Sequence, residues 1–250
     1  MIILKTEEQI QKMKKAGEIL ADVHKEIRKI IKPGITTMEI DKFVEKYLAE
    51  RGARPEQKGY QGYPYATCAS INDEICHGFP RNKAIKDGDI VTIDMVVNLD
   101  GWLADSAWSY GVGNISEEAQ RLLDVTKKSL YLGIEQAVIG NRLGDIGHAI
   151  QNYVESQGFS VVKDFVGHGI GKDMHEDPQV LHYGTPGRGP RLVEGMVITI
   201  EPMVNMGTYR MKMDDNKWTA RTQDGSLSAQ YEHTLAITKD GPLILTDQGE

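Results

Sequence analysis

Only two cysteines, Cys68 and Cys76, occur in the 250 residues, too few for a disulfide framework or a cysteine-rich zinc module, so both read as reduced, packed thiols. Basic residues are in deficit as well: 29 Lys and Arg stand against 36 Asp and Glu, a formal charge of −7, and no basic run breaks that balance. This argues against a specific nucleic-acid partner. No apolar stretch approaches the roughly 20 residues that a membrane span requires, and the opening MIILKTEEQI lacks the layout of a signal peptide. A cytoplasmic protein without a membrane partner is expected. Serine-, glycine- or proline-rich linkers and low-complexity segments are also missing, so residues 1–250 read as one domain. With no oligomerisation signal in view, a monomer is expected.

What is present is an internal repeat. DGDIVTIDMVV (Asp87 to Val97) reappears as EGMVITIEPMV (Glu194 to Val204), and Asp94 is answered by Glu201. The segment is mostly β-branched and apolar, the composition of a buried strand, where an ionisable group in the same slot of both copies is costly unless it has a partner. The repeat extends upstream. GITTMEIDKFVEKYLAERG (Gly34 to Gly52) corresponds to GNRLGDIGHAIQNYVESQG (Gly140 to Gly158), with Ile40, Val44, Tyr47 and Leu48 aligned on Ile146, Ile150, Tyr153 and Val154. That is one apolar helix face written twice. Before each lies another helix: Thr6 to Ile31, opened by Thr6 and Gln9 as a capping box and stopped at Pro33-Gly34, and Ser116 to Ile139, stopped at Gly140. The expected architecture is mixed α/β (α+β), an internally duplicated chain with pseudo-twofold symmetry and halves near 6–112 and 116–240, because a period this long is no solenoid.

After Asp94 comes NLDGWLADSAWSY, in which Asp100-Gly101 between two β-rich runs marks a two-residue hairpin turn. That turn sets Asp94 opposite Ala107 and Asp105 opposite Val96. The two acids then share a face as diagonal neighbours; a three-residue loop would reverse the result. In the second half SAQYEHTLAIT (Ser228 to Thr238) places Glu232 with Gln230 and Thr234 on one face and His233 on the other, which makes His233 a non-ligand. Four gathered carboxylates repel one another and are driven to protonate unless cations compensate, and two divalent ions balance four acids. The glycine-flanked FVGHGIG (Phe165 to Gly171) offers His168 as a nitrogen donor on a loop.

Taken together, Asp94, Asp105, His168, Glu201 and Glu232, in that order, with TCASINDEICHGFP (Thr67 to Pro80), GHGIG, MHEDP and TIEPMV around them, resemble the type I methionine aminopeptidases. The resemblance runs over nearly the whole chain. It implies the pita-bread fold, with antiparallel sheets flanked by helices, and a metallopeptidase that removes the initiator methionine by attack of metal-activated hydroxide on the first peptide bond. The short interval from His168 to Glu201 and the lack of a cysteine-rich N-terminal extension are similar to the short bacterial form. Two divalent ions are implied, with Co, Mn, Fe and Zn all compatible with one imidazole among carboxylates.

By the same resemblance Asp94 holds one ion, His168 and Glu201 hold the other, and Asp105 and Glu232 bridge both. Glu201 is then the proton relay, His175 the donor to the substrate carbonyl, and His77 a contact for the amide of the following residue. Tyr60, Tyr63, Cys68, Met174 and Trp218 are implied to form the methionine pocket. The family often carries Phe where Met174 stands and His where Leu103 stands, departures that bear on the pocket entrance. His24, His148 and His182 read as surface or core residues. The implied substrates are N-termini of nascent polypeptides, with the ribosome exit region a candidate partner that the sequence leaves open. Two alternatives are a proline-directed aminopeptidase or dipeptidase of the same fold, and a non-catalytic protein-binding module.

Overall fold

The computed structural model describes residues Met1–Glu250. Helix α1, Glu7–Ile30, starts on the expected capping box: the Thr6 hydroxyl accepts from the Gln9 amide and the Gln9 side chain accepts from the Thr6 amide, at 3.2 and 3.0 Å. Its buried stripe runs Ile10, Met13, Gly17, Leu20, Val23, His24, Ile27 at helical spacing. Gly17 is needed where it stands, because a Cβ there would lie 2.0 Å from the Leu245 carbonyl oxygen. Helix α2, Thr37–Ala49, buries Ile40, Val44 and Leu48, while Tyr47 is half-buried with the Arg51 guanidinium 3.4 Å from its ring centre.

Helix α4, Leu143–Ser156, repeats that face with Ile146, Ile150 and Val154. Helix α3, Glu117–Glu135, opens on Ser116 as expected but stops four residues before Ile139. The Asn141 side-chain Nδ2 donates to the Gln136 carbonyl at 2.9 Å, capping the helix early, and Ile139 is left exposed. Residues of all four helices join the strands in one cluster of 42 buried apolar side chains, so the two halves share a core. Truncating a member such as Leu48 or Ile150 to Ala costs about 2–5 kcal/mol in a core of this kind.

The hairpin Ile90–Leu99 and Trp102–Gly111 has the expected register, with Asp94 opposite Ala107 and Asp105 opposite Val96. Asp100 and Gly101 both take positive φ, 53° and 87°, the turn whose twist suits two flanking strands. Arg54–Pro55 and Cys68–Ile71 both pair with Ile90–Leu99 along the edge that Trp102–Gly111 leaves free, at Val97–Asn98 and Val91–Asp94. The second half supplies a five-stranded antiparallel sheet in the order Gly241–Ile244, His233–Thr238, Val197–Ile200, Gly167–Gly169, Glu176–Val180.

The two copies of the repeated strand differ. Ile90–Leu99 is continuous, whereas its counterpart breaks into Val197–Ile200 and Met203–Asn205. Pro202 lies at the break and has no N–H to offer a ladder, and the Glu201 amide turns instead to His182 Nε2 at 3.0 Å. The segment expected as one strand from Ser228 to Thr238 is likewise interrupted at Tyr231-Glu232. There Glu232 makes an isolated bridge to Ala107, its amide donating to the Ala107 carbonyl at 2.9 Å. That bridge ties the second half to the hairpin of the first.

Candidate metal centre

Asp94 and Asp105 project from facing strands of the hairpin, Glu201 from the end of Val197–Ile200, Glu232 from the break before His233, and His168 from Gly167–Gly169. One donor atom each from Asp105, His168, Glu201 and Glu232 falls within a mutual 4.8 Å. His168 Nε2 is 3.4 Å from both Asp105 Oδ2 and Glu201 Oε2. Asp94 stands outside that group of four but lines the same cavity. His168 is on a strand rather than the expected loop. Its glycine neighbours serve close strand packing: a Cβ on Gly167 would lie 2.4 Å from the Thr199 carbonyl oxygen, and one on Gly169 2.1 Å from that of Asp177. A bulge between His168 and Gly169 aims the imidazole.

Burial, then repulsion from Asp105, Glu201 and Asp94, holds the Glu232 carboxyl well above the usual range. Asp94 is raised by burial and by Asp105 and Glu201, and Glu201 is raised chiefly by burial. For His168 burial pulls the other way, but Asp105 and Glu201 prevail and raise it to about 9. Asp105 Oδ1 and both oxygens of Glu232 are buried without a hydrogen-bond partner, an expensive arrangement for a protein alone. A divalent cation would supply the missing partner and reverse the electrostatics. Carboxylate oxygens with one imidazole nitrogen make a donor set that fits such an ion.

The cavity above the cluster has a volume of about 350 Å³. Tyr60, Tyr63, Cys68, Met174 and Trp218 all line it, with His77 and His175. Tyr63 donates its hydroxyl to the Thr67 carbonyl at 2.6 Å and packs edge-on against Trp218 at 5.1 Å. The ring of His175 is 4.5 Å from that of His168, and its Nδ1 is 3.3 Å from the Tyr60 hydroxyl. Burial and nearby His168 lower the pKa of His175; burial and His175 lower that of His77. Leu103 is fully buried in the apolar cluster that contains Met174 and Val96, behind the cavity wall and not at its mouth.

The sequence pattern of "Metallopeptidase family M24" matches residues 11–239. The chain belongs to that family. It is 54% identical to a protein of Clostridium perfringens named methionine aminopeptidase, covering 98% of this chain and 99% of that one. It is 51% identical to methionine aminopeptidase 1 of Bacillus subtilis over 98% of its own length and 99% of that protein's. The crystal structure of a methionine aminopeptidase from Rickettsia prowazekii superposes with a TM-score of 0.97 at 43% identity, over 99% of this chain and 100% of that one. The fold is thus that of the pita-bread M24 metallopeptidases.

Several polar residues of this M24 site escape sequence reasoning. Thr199 donates its hydroxyl to Glu201 Oε2 at 2.7 Å and accepts the His168 amide at 3.0 Å. Thr234 accepts the Asp105 amide and donates to the Asp105 carbonyl. Gln57 accepts the Val96 amide and donates to the Asp94 carbonyl. His182, read only as surface or core, is fully buried and holds the Glu201 amide. One signal was available for Thr199: the repeat carries a threonine two places before each acid, Thr92 before Asp94 and Thr199 before Glu201. His233 faces away, bonded to Thr246 and Tyr131, and His24 is bonded to Tyr110, as befits core histidines. His148 is half-buried on α4.

Removing the shared hydroxyl without changing shape isolates its effect. Thr199→Val is expected to weaken Mn²⁺ binding about tenfold, the usual penalty for losing a partner of a metal ligand, as read by calorimetric titration of the metal-stripped protein. Unchanged affinity in a folded variant would show that Glu201 and His168 need no such tether.

Proposed function

We propose that the protein removes the N-terminal methionine of nascent polypeptides whose second residue is small. The carrying observation is the juxtaposition of an aromatic and sulfur-lined cavity with a buried cluster of carboxylates and imidazole in which Asp105 Oδ1 and both Glu232 oxygens lack partners. Asp94, Asp105, His168, Glu201 and Glu232 would hold two divalent ions of the Co, Mn, Fe or Zn class, Asp105 and Glu232 being shared. Bound ions would supply positive charge that polarises the scissile carbonyl and acidifies water, as in two-metal hydrolases generally.

The protein's own groups do the rest. Glu201 takes a proton at its carboxylate and passes it towards the leaving amine. His175 is neutral at pH 7, since its pKa is lowered; with Tyr60 on Nδ1, Nε2 can carry the proton and donate to the carbonyl oxygen as negative charge develops. His77 contacts the amide of the second residue. Tyr60, Tyr63, Cys68, Met174 and Trp218 enclose the methionine side chain with adaptable apolar surface. Residues 1–250 act as one catalytic domain with halves near 6–112 and 116–240, a cytoplasmic monomer that meets its substrates as they leave the ribosome. No helix is long and apolar enough to cross a membrane. A proline-directed peptidase is not favoured, because the full-length relatives at about half identity bear the methionine aminopeptidase name. A non-catalytic module is disfavoured by the complete ligand set.

Four peptides test the reading. Met-Ala-Ser should be cleaved, whereas Met-Lys-Ser, Leu-Ala-Ser and formyl-Met-Ala-Ser should be hydrolysed very slowly or not at all. A blocked amine loses both a contact and the orientation it provides, and a long second side chain meets His77 and the cavity mouth. Equal rates on the first two peptides, or preference for the leucine peptide, would refute the assignment.

A further inference from the structure

Lys5 and Glu176 form an ion pair inside the protein, their side chains only 3% and 6% exposed. Lys5 is itself fixed: its ammonium also donates to the Ile3 carbonyl at 3.0 Å, and its amide donates to the Gly195 carbonyl at 2.8 Å. Gly171 closes the pair from the side, since a Cβ there would lie 2.6 Å from Lys5 Cε and 2.7 Å from Glu176 Oε1. Glu176 begins the strand Glu176–Val180 and pairs with Gly169, the residue after His168. His175 immediately precedes it and lines the cavity. His175 is the last residue of the bend that leads into this strand, one peptide bond from Glu176, so a carboxylate pinned at Glu176 holds the backbone from which the imidazole projects.

A buried ion pair is a poor device for stability, since apolar residues of similar volume do as well or better. What it adds is one allowed geometry. We propose that Lys5, acting through Glu176, is a positioning residue for His175, so that the segment before α1 sets where the imidazole meets the substrate carbonyl. The inference rests on the proposed role of His175.

The decisive experiment is a cycle in the full-length, Mn²⁺-loaded enzyme. It compares parent, Lys5→Met/Glu176→Leu, His175→Ala and the combination, reading kcat and KM for Met-Ala-Ser, melting temperature and Mn²⁺ affinity. Replacing the pair should leave melting and metal affinity near the parent values and lower kcat about tenfold or more, the scale of a misplaced reacting group, with little change in KM. In the His175→Ala background the same replacement should change kcat no further, because groups acting as a unit are not additive. Parent-like kcat after pair replacement, or an equal loss in both backgrounds, overturns the inference. Should the double replacement not fold, Lys5→Arg run through the same cycle decides by the same criterion. A parent enzyme inert towards Met-Ala-Ser would overturn the peptidase reading, and a fully active His175→Ala would overturn the histidine's role; this inference falls with either.

Discussion

Glu201→Gln is expected to lower kcat towards Met-Ala-Ser by at least about a hundredfold, the size of one acid–base contribution, in a protein that melts no lower than its parent in the absence of metal. The amide has the shape of the carboxylate and keeps an oxygen for the Thr199 hydroxyl, which now sits 2.7 Å from Glu201 Oε2. What it loses is charge and the capacity to take a proton. Because burial already raises the pKa of this carboxyl, deleting its charge relieves the empty cluster and does not strain it. Steady-state kinetics at saturating Mn²⁺ with a parallel melting curve test both halves of the statement. Near-normal kcat in a folded variant would remove Glu201 from proton transfer.

Metal-stripped protein is expected to lose stability as pH rises from about 7.5 to 8.5, and Mn²⁺ to abolish most of that slope. Asp94, Glu201 and Glu232 have raised pKa values when folded, and His168 is raised to about 9. Over this window His168 keeps a proton that the unfolded imidazole has released, and the raised carboxyls act in the same direction, so stability falls with pH. The buried histidines oppose this only at lower pH. His24 and His182, depressed to about 3 by burial, and His233, depressed to about 4, bind fewer protons folded than unfolded; they raise stability with pH until the unfolded imidazoles, with a pKa near 6.5, have lost most of their protons by about pH 7.5. The upper limit avoids the thiols of Cys68 and Cys76, which burial pushes up in loaded and stripped protein alike. Each retained proton contributes about 1.4 kcal/mol per pH unit, worth about 2–4 °C of melting temperature per kcal/mol for a chain of this size. Scanning calorimetry in chelator and in Mn²⁺ at several pH values reads the difference directly. Equal slopes, or stability rising with pH in chelator, would show that the acids are not coupled as described.

The parts of the fold written in local chemistry were legible. Asp100-Gly101 dictates a turn type, the turn dictates the pairing, and the pairing puts Asp94 and Asp105 on one face. Helix faces follow from periodicity in the same way, and the doubled acids pointed to a charged cluster before any geometry was known. Features decided by distant partners were not legible. The breaks at Pro202 and at Tyr231-Glu232 depend on what the freed amides find, His182 Nε2 and the Ala107 carbonyl, and neither lies nearby in the chain. The end of α3 is a different case: it is set by a local partner, the Asn141 side chain, five residues beyond Gln136, whereas the sequence pattern ends the helix at Gly140. Thr234, Gln57 and Lys5 matter through bonds to strands far along the chain, and a single sequence does not name such partners. The glycines around His168 signalled a loop because glycine is commoner there, when their purpose is contact with neighbouring backbone.

The Ala107–Glu232 bridge also bears on when the protein becomes competent during its own synthesis. Asp94 and Asp105 leave the ribosome well before the other donors, and Glu232 emerges after all of them. On the proposed ligand set, the first-half acids have no completed cage until the strands around Glu232 pair, so a chain made only that far is expected to be catalytically silent. Contacts between segments so distant in sequence are slow to form because the loop must close before they are rewarded. On that reading activity arrives as a late, all-at-once event rather than growing with chain length, and a chain cut anywhere before Glu232 is expected to release no methionine.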